Sequence, residues 1–165
     1  MEVLSLYLFI IGLIGGILST AAMTITEIPS WKRWGIYGVF EWHENYIITK
    51  RLSLRFSSTI ERESYFKGIF FFHFLNGALA GIAFPYIVSF LSHSFSFTVI
   101  SFSLFGILYG IVLWILTLVP IHKPITGYSA WNHPLGHLPA IASLSGHVIY
   151  GIVLGLVVAY INVIL

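Results

Sequence analysis

The chain contains seven histidines, and two of them stand inside long apolar segments where an ionisable side chain is unusual. The segments His73–Gly81 and His147–Gly155 follow one pattern, a histidine with glycines four and eight residues later. At about 1.5 Å of rise per residue, each histidine would lie on the order of 10–12 Å inside its helix. Both rings are expected at matching depth, on the glycine face, where an ionisable group is a functional candidate.

Several uses of this pair stay open. Two imidazoles would hold a b-type haem in a haem- or quinone-associated redox subunit, or they would pass protons and line a small solute channel or transporter. They could join His122, His133 and His137 in a metal site, or simply hydrogen-bond across helices. The side chains expected to share the intramembrane polar site are His73, Asn76, Tyr109, His147 and Tyr150.

Other catalytic arrangements are missing from the sequence. The chain has neither Cys nor Asp, which excludes thiolate chemistry and a Ser-His-Asp triad. Pro134 and Gly136 disfavour the helix that would align His133 with His137, so no metal site is predicted there. The run Trp42–Glu44 offers one ligand pair at most and is expected on a solvated surface. We expect no enzymatic activity. All six glutamates are expected outside the spans, which argues against a cation-coupled pump: Glu2, Glu27, Glu41, Glu44, Glu61 and Glu63.

Composition identifies the elements that must position these residues. Of the 165 residues, 58% are apolar and 8% charged, and the mean hydropathy is +0.92. A soluble domain carries about 25% charged residues, so a water-soluble globule is excluded. The net charge of +2 gives no indication of a nucleic-acid partner. We predict an all-α fold, a four-transmembrane-helix bundle in one domain covering 1–165, with spans at about 3–25, 66–91, 97–121 and 139–165.

The basic residues predict an orientation. All eight Lys and Arg lie in or beside the first and third connections, and the N-terminus, the turn at 92–96 and the C-terminus contain none. The positive-inside rule makes the basic side cytoplasmic. We therefore expect a multi-pass protein of the cell membrane with both termini outside.

The first connection, about 26–62, interleaves aromatic and basic residues. This composition predicts one or two short amphipathic helices within Ser30–Lys50, lying in the cytoplasmic interface and binding anionic lipid headgroups. A segment packed under the bundle as a plug is an equal alternative. Ser58 and Glu61 suggest a capping box before the second span. The residues expected at the lipid interface are Trp31, Lys32, Arg33, Trp34, Trp42, Lys50 and Arg51.

Glycines four residues apart recur in every span and predict close helix packing, because small residues let backbones approach within lipid. The four spans share one pattern of spaced residues, which begins with Gly in the first and third spans and with His in the second and fourth. This alternation suggests a two-helix internal repeat about an axis along the membrane normal. The glycines expected to form these contacts are Gly12, Gly16, Gly77, Gly81, Gly106, Gly110, Gly151 and Gly155.

Three segments carry a resemblance: residues 15–24 (GGILSTAAMT), His73 with the following Asn-Gly, and residues 146–155 (GHVIYGIVLG). Together they resemble a family of small prokaryotic four-helix membrane proteins known only as a domain of unknown function. A first helix ending in Ala-Met-Thr, a His in the second and a Gly-His-x-x-Tyr-Gly start to the fourth recur there. The resemblance implies the four-helix architecture, draws attention to His73, His147, Tyr150 and Gly151, and brings no activity with it.

The function expected from these patterns is non-enzymatic. We expect a small membrane subunit or packing module that works with copies of itself or within a larger membrane complex. The redox subunit and the small channel or transporter are its alternatives.

Overall fold

The computed structural model describes residues 2–56, 62–92, 98–129 and 131–164. Of the described residues, 91% are helical, and these ranges contain no strand, as the all-α prediction expected. The predicted turn at 92–96 with His93, and the predicted capping box at Ser58 and Glu61, fall mainly outside these ranges. The helices are α1 (Glu2–Trp34), α2 (Phe40–Phe56), α3 (Arg62–Leu91), α4 (Val99–Thr117), α5 (Lys123–Thr126) and α6 (Leu138–Ile164).

Four helical segments are long and apolar enough to cross a membrane: Leu4–Gly38, Tyr65–Leu91, Val99–Thr126 and Leu138–Ile161. Their outward faces are apolar too, since Phe90, for example, is 77% exposed. Such faces suit contact with lipid. The prediction of four apolar helices is therefore confirmed, and these helices suit a multi-pass membrane protein.

Helix α1 is longer than predicted. It does not end at Ile25 but continues through Pro29 to Trp34, and a 3-10 turn over Gly35–Gly38 then connects it to α2. A proline removes one intrahelical hydrogen bond, but it does not end this helix. The expectation that every glutamate lies outside the spans is wrong for Glu27, which α1 holds fully buried.

The long helices form two closely packed antiparallel pairs, α1 with α3 and α4 with α6, and α1 also packs on α6. A Cβ atom added to Gly16 would lie 2.5 Å from the carbonyl oxygen of Gly77. In the second pair, a Cβ on Gly151 would lie 2.0 Å from the carbonyl oxygen of Gly106. The backbones are therefore in direct contact within each pair, and we call these two interfaces the glycine seams. Helices α3 and α4 instead meet through side chains such as Phe84.

Helix α2 lies across one end of the bundle, against α3, α5 and α6. We call this the basic end, because all Lys and Arg of the sequence belong to it. Within the predicted interfacial segment, the side of α2 that holds Trp42 and His43 is buried, as the plug alternative expects. The lipid-interface prediction is wrong for Trp42, whose indole is 1% exposed. Four of the predicted interface residues, Lys32, Arg33, Lys50 and Arg51, are exposed, and Trp31 and Trp34 are partly buried.

Candidate functional site

The first turn of α2, Phe40–Glu44, supplies the site with consecutive side chains that reach different elements. Successive residues of a helix point about 100° apart, and this turn is surrounded by the bundle. Glu41 reaches α6, Trp42 reaches α1, and Glu44 reaches the segment that follows α4. One short stretch of sequence therefore joins elements that are far apart along the chain.

Glu27 of α1 lies between Trp42 of α2 and His73 of α3. Its Oε2 accepts a hydrogen bond of 2.8 Å from Nε1 of Trp42, and the same oxygen lies 3.6 Å from Nε2 of His73. The second contact is longer than a hydrogen bond. A small movement or a bridging water would complete it, so Glu27 and His73 form a poised acid–base pair.

Glu41 makes the equivalent contact to His147. Its Oε1 lies 3.5 Å from Nδ1 of His147 and accepts a short hydrogen bond from the hydroxyl of Ser143. Nδ1 of His147 also donates to the backbone carbonyl of Ser143 at 3.0 Å. That bond places the ring proton on Nδ1 in the neutral imidazole and leaves a lone pair on Nε2.

The two carboxyl groups also interact with each other electrostatically. Oε1 of Glu27 and Oε2 of Glu41 are buried and have no hydrogen-bond partner. Two buried carboxylates that repel each other cannot both ionise at low cost, so one of them is expected to hold a proton. We refer to Glu27, Glu41, His73 and His147 as the carboxylate–histidine cluster.

The cluster borders a cavity of about 90 Å³. A volume of this size suits a few water molecules. Four of the five predicted polar-site residues line it, and the fifth, Tyr109, instead donates a hydrogen bond of 2.6 Å to the carbonyl of Ala80. The polar groups around the cavity are Thr20, Glu41, His73, Asn76, Thr117, His147 and Tyr150.

A haem does not fit between His73 and His147. The cavity between them is about 90 Å³, well below the ~300–1,000 Å³ of pockets that hold small-molecule ligands or cofactors. Each ring also faces a carboxylate that would have to move away. The geometry does not support the haem alternative.

Three other histidines meet beside the cluster. Ring nitrogens of His43, His122 and His133 all lie within 4.8 Å of one another, and all three residues are buried. We call them the histidine triad. His137, which the sequence analysis grouped with His122 and His133, is exposed and is not among them.

Burial in the triad region favours the uncharged forms of His43, His133 and Glu44. Burial, with smaller contributions from the neighbouring His122 and His133, lowers the pKa of His43 to about 4. Burial also lowers the pKa of His133. Burial raises the pKa of Glu44 to about 9, with Glu41 adding to the effect.

Sequence reasoning missed Glu27, Glu41, Glu44 and His43 as site residues. Glu27 was detectable in principle, because apolar residues recur every three positions after Ile25, at Ile28, Trp31 and Trp34, with only Pro29 to interrupt the helix. The α2 residues gave no such signal. Buried and polar positions stand side by side there, without the spacing that marks one helix face.

The chain matches no protein-family model, no curated protein and no solved structure. The resemblance to a family of four-helix membrane proteins therefore stays a prediction.

Proposed function

We propose that the protein is a small multi-pass membrane transporter or channel in which the carboxylate–histidine cluster passes protons. The observation that carries this proposal is the position of two Glu–His pairs beside one cavity, large enough for a few water molecules, that is lined by α1, α2, α3, α4 and α6. Burying ionisable groups in a membrane protein is costly. Such groups are typical of proton relays and ion pathways.

The cluster offers a route for the proton. A proton on Glu27 can pass to the unpartnered Nε2 of His73 across the 3.6 Å contact. This step moves one proton from a carboxylic acid to an imidazole and creates an ion pair. Nδ1 of His147, which Glu41 faces, already carries its ring proton, so this contact positions Glu41 and does not accept a proton from it. Water in the cavity would bridge distances above 3.5 Å, and the amide of Asn76 would orient it.

The route is closed away from the basic end. Beyond the cavity the core consists of apolar side chains, including Ile11, Phe84, Val88, Leu154 and Val158. An apolar constriction blocks water and protons. Opening it would require the helices to shift, which favours a gated transporter over a permanently open pore.

The membrane subunit expected from composition is the second candidate. The backbone contacts at the glycine seams support it, since they are typical of tight membrane packing. Each seam joins one odd and one even span, which also supports the proposed two-helix repeat. The exposed basic side chains of α2 support contact with anionic lipid. None of this requires a buried cluster of ionisable groups, so we favour proton transfer.

A flux assay tests the proposal. The purified protein is reconstituted into liposomes that contain a pH-sensitive dye, and a potassium diffusion potential of either sign drives proton movement. We expect wild type to change the internal pH faster than empty liposomes, and Glu27→Gln to reduce that rate at least tenfold. Glutamine keeps an oxygen for the Trp42 hydrogen bond but cannot release a proton. His137→Gln, at an exposed histidine, is the matched control and should keep the wild-type rate.

Two results would overturn the proposal. One is a wild-type rate equal to that of empty liposomes under both polarities. The other is a Glu27→Gln rate equal to wild type. Size-exclusion chromatography in detergent confirms that both variants are folded before the rates are compared.

A further inference from the structure

The histidine triad has unused coordinating capacity. Nδ1 of His43, Nε2 of His122 and Nε2 of His133 are buried and have no hydrogen-bond partner. A buried polar atom without a partner costs about 1–3 kcal/mol. One metal ion would bind all three nitrogens at once, whereas a single water molecule would have to hydrogen-bond to all three rings.

We propose that the histidine triad binds one divalent transition-metal ion of the zinc type, with the fourth coordination position open to water. Zn²⁺ bound tetrahedrally at about 2.0–2.1 Å holds its ligand nitrogens about 3.3 Å apart. One ring nitrogen of each triad histidine already lies within 4.8 Å of a ring nitrogen of each of the other two. Small side-chain rotations would therefore complete the site, without movement of the helices.

Glu44 hydrogen-bonds to one of the proposed ligands, His122. Its Oε1 lies 2.8 Å from Nδ1 of His122. A divalent ion at the triad would release the proton of Glu44 to solvent and leave it a carboxylate. Nδ1 of His122 then donates the hydrogen bond, and its lone pair stands on Nε2, the unpartnered atom. A carboxylate behind a ligating imidazole fixes its tautomer and raises its basicity, as in many zinc sites.

His133 must exchange one hydrogen bond for the metal. Its Nδ1 accepts from the backbone amide of Leu135 at 3.2 Å, so the neutral ring carries its proton on Nε2 in this arrangement. Ligation through Nε2 would transfer that proton to Nδ1. A long N–H···N contact would then be replaced by a metal–nitrogen bond.

The surroundings select the kind of ion. Aromatic rings pack on the triad: Phe40 is centred 4.0 Å from His122, and Tyr37 4.7 Å from His43. Imidazole ligands in such a shell suit Zn²⁺ and its transition-metal neighbours, while Mg²⁺ and Ca²⁺ prefer oxygen. A cleft of about 430 Å³ that includes His133 gives access from the surface of the third connection.

The test uses the full chain in detergent, without a polyhistidine tag and stripped of metal by a chelator. We titrate it with Co²⁺ and then displace the Co²⁺ with Zn²⁺. One Co²⁺ per chain with the absorption spectrum of tetrahedral nitrogen coordination is expected. His43→Ala and His133→Ala should each lower the affinity more than tenfold, and Glu44→Gln should lower it about 10–100-fold. His137→Ala, the exposed control in the same connection as His133, should leave the affinity unchanged.

The wild-type spectrum decides the proposal without any variant, so a variant that fails to fold does not leave it open. The absence of a one-to-one complex, or an octahedral Co²⁺ spectrum, would overturn it. Equal weakening by His137→Ala and His133→Ala would also overturn it, because exposed histidines would then be responsible. The proposal does not rest on proton transfer, and its outcome is independent of the flux measurements.

Discussion

Substitution of Gly151 by alanine tests the backbone contact between α4 and α6. The new Cβ would lie 2.0 Å from the carbonyl oxygen of Gly106 and 3.2 Å from Cα of Ile107. These are backbone atoms and cannot rotate away. Since an ordinary contact begins at 3.4 Å, the helices must separate by about 1.4 Å, which forfeits a large part of the dispersion energy along the seam.

The loss of unfolding free energy in Gly151→Ala is compared with that in a matched control, Gly15→Ala. Overpacking a tight interface costs about 1–3 kcal/mol, whereas Gly→Ala within a helix gains about 1 kcal/mol of helix propensity. Gly15→Ala receives the same gain, but its Cβ meets the end of the flexible Leu154 side chain at 2.9 Å. The difference in unfolding free energy between the two variants therefore isolates the backbone clash. We expect it to be about 2 kcal/mol, which lowers the thermal midpoint by roughly 4–8 °C.

Thermal unfolding of both variants in the same detergent, followed by circular dichroism, measures the difference. The pair Gly106→Ala and Gly151→Ala should also be non-additive in the double variant, because the first substitution already moves the helices apart. Equal midpoints for Gly15→Ala and Gly151→Ala would refute the close packing of α4 on α6.

The remaining predictions concern the buried indole and the orientation of the chain. Trp42→Phe leaves Oε2 of Glu27 without its donor and should destabilise the protein by about 1–3 kcal/mol. Trp31→Phe, at the partly buried ring beside it, should cost less, and the reverse order in thermal unfolding would contradict the role of the hydrogen bond. A reporter fused to the C-terminus should be active outside the cell, because the basic residues belong to the opposite end. Cytoplasmic activity would invert the orientation.

Sequence alone could predict the spans, because length and hydropathy decide which helices suit a membrane. It also singled out His73, Asn76, His147 and Tyr150, which do line one cavity. These four residues meet at one cavity because residues at a fixed spacing share one helix face, and the glycine spacing selects the face that packs.

The charged half of the site could not be predicted in the same way. Glu41 and Glu44 stand in a polar segment whose composition suits the membrane surface equally well. Whether such a helix lies on lipid or under the bundle depends on contacts with α6 and with the segment after α4, about 80 to 100 residues later. Local patterns do not report contacts of that range.

The distances along the chain between Glu41, Glu44 and their partners also bear on biogenesis. The ribosome completes α2 well before it synthesises His122, Ser143 and His147, which contact these two glutamates in the finished protein. Before the segment after α4 and α6 are inserted, α2 can pack on α1 and α3 through Trp42, but Glu41 and Glu44 lack their partners. Burial of these two glutamates is therefore a late step that depends on the last part of the chain, and a chain truncated before α6 would leave Glu41 unpaired.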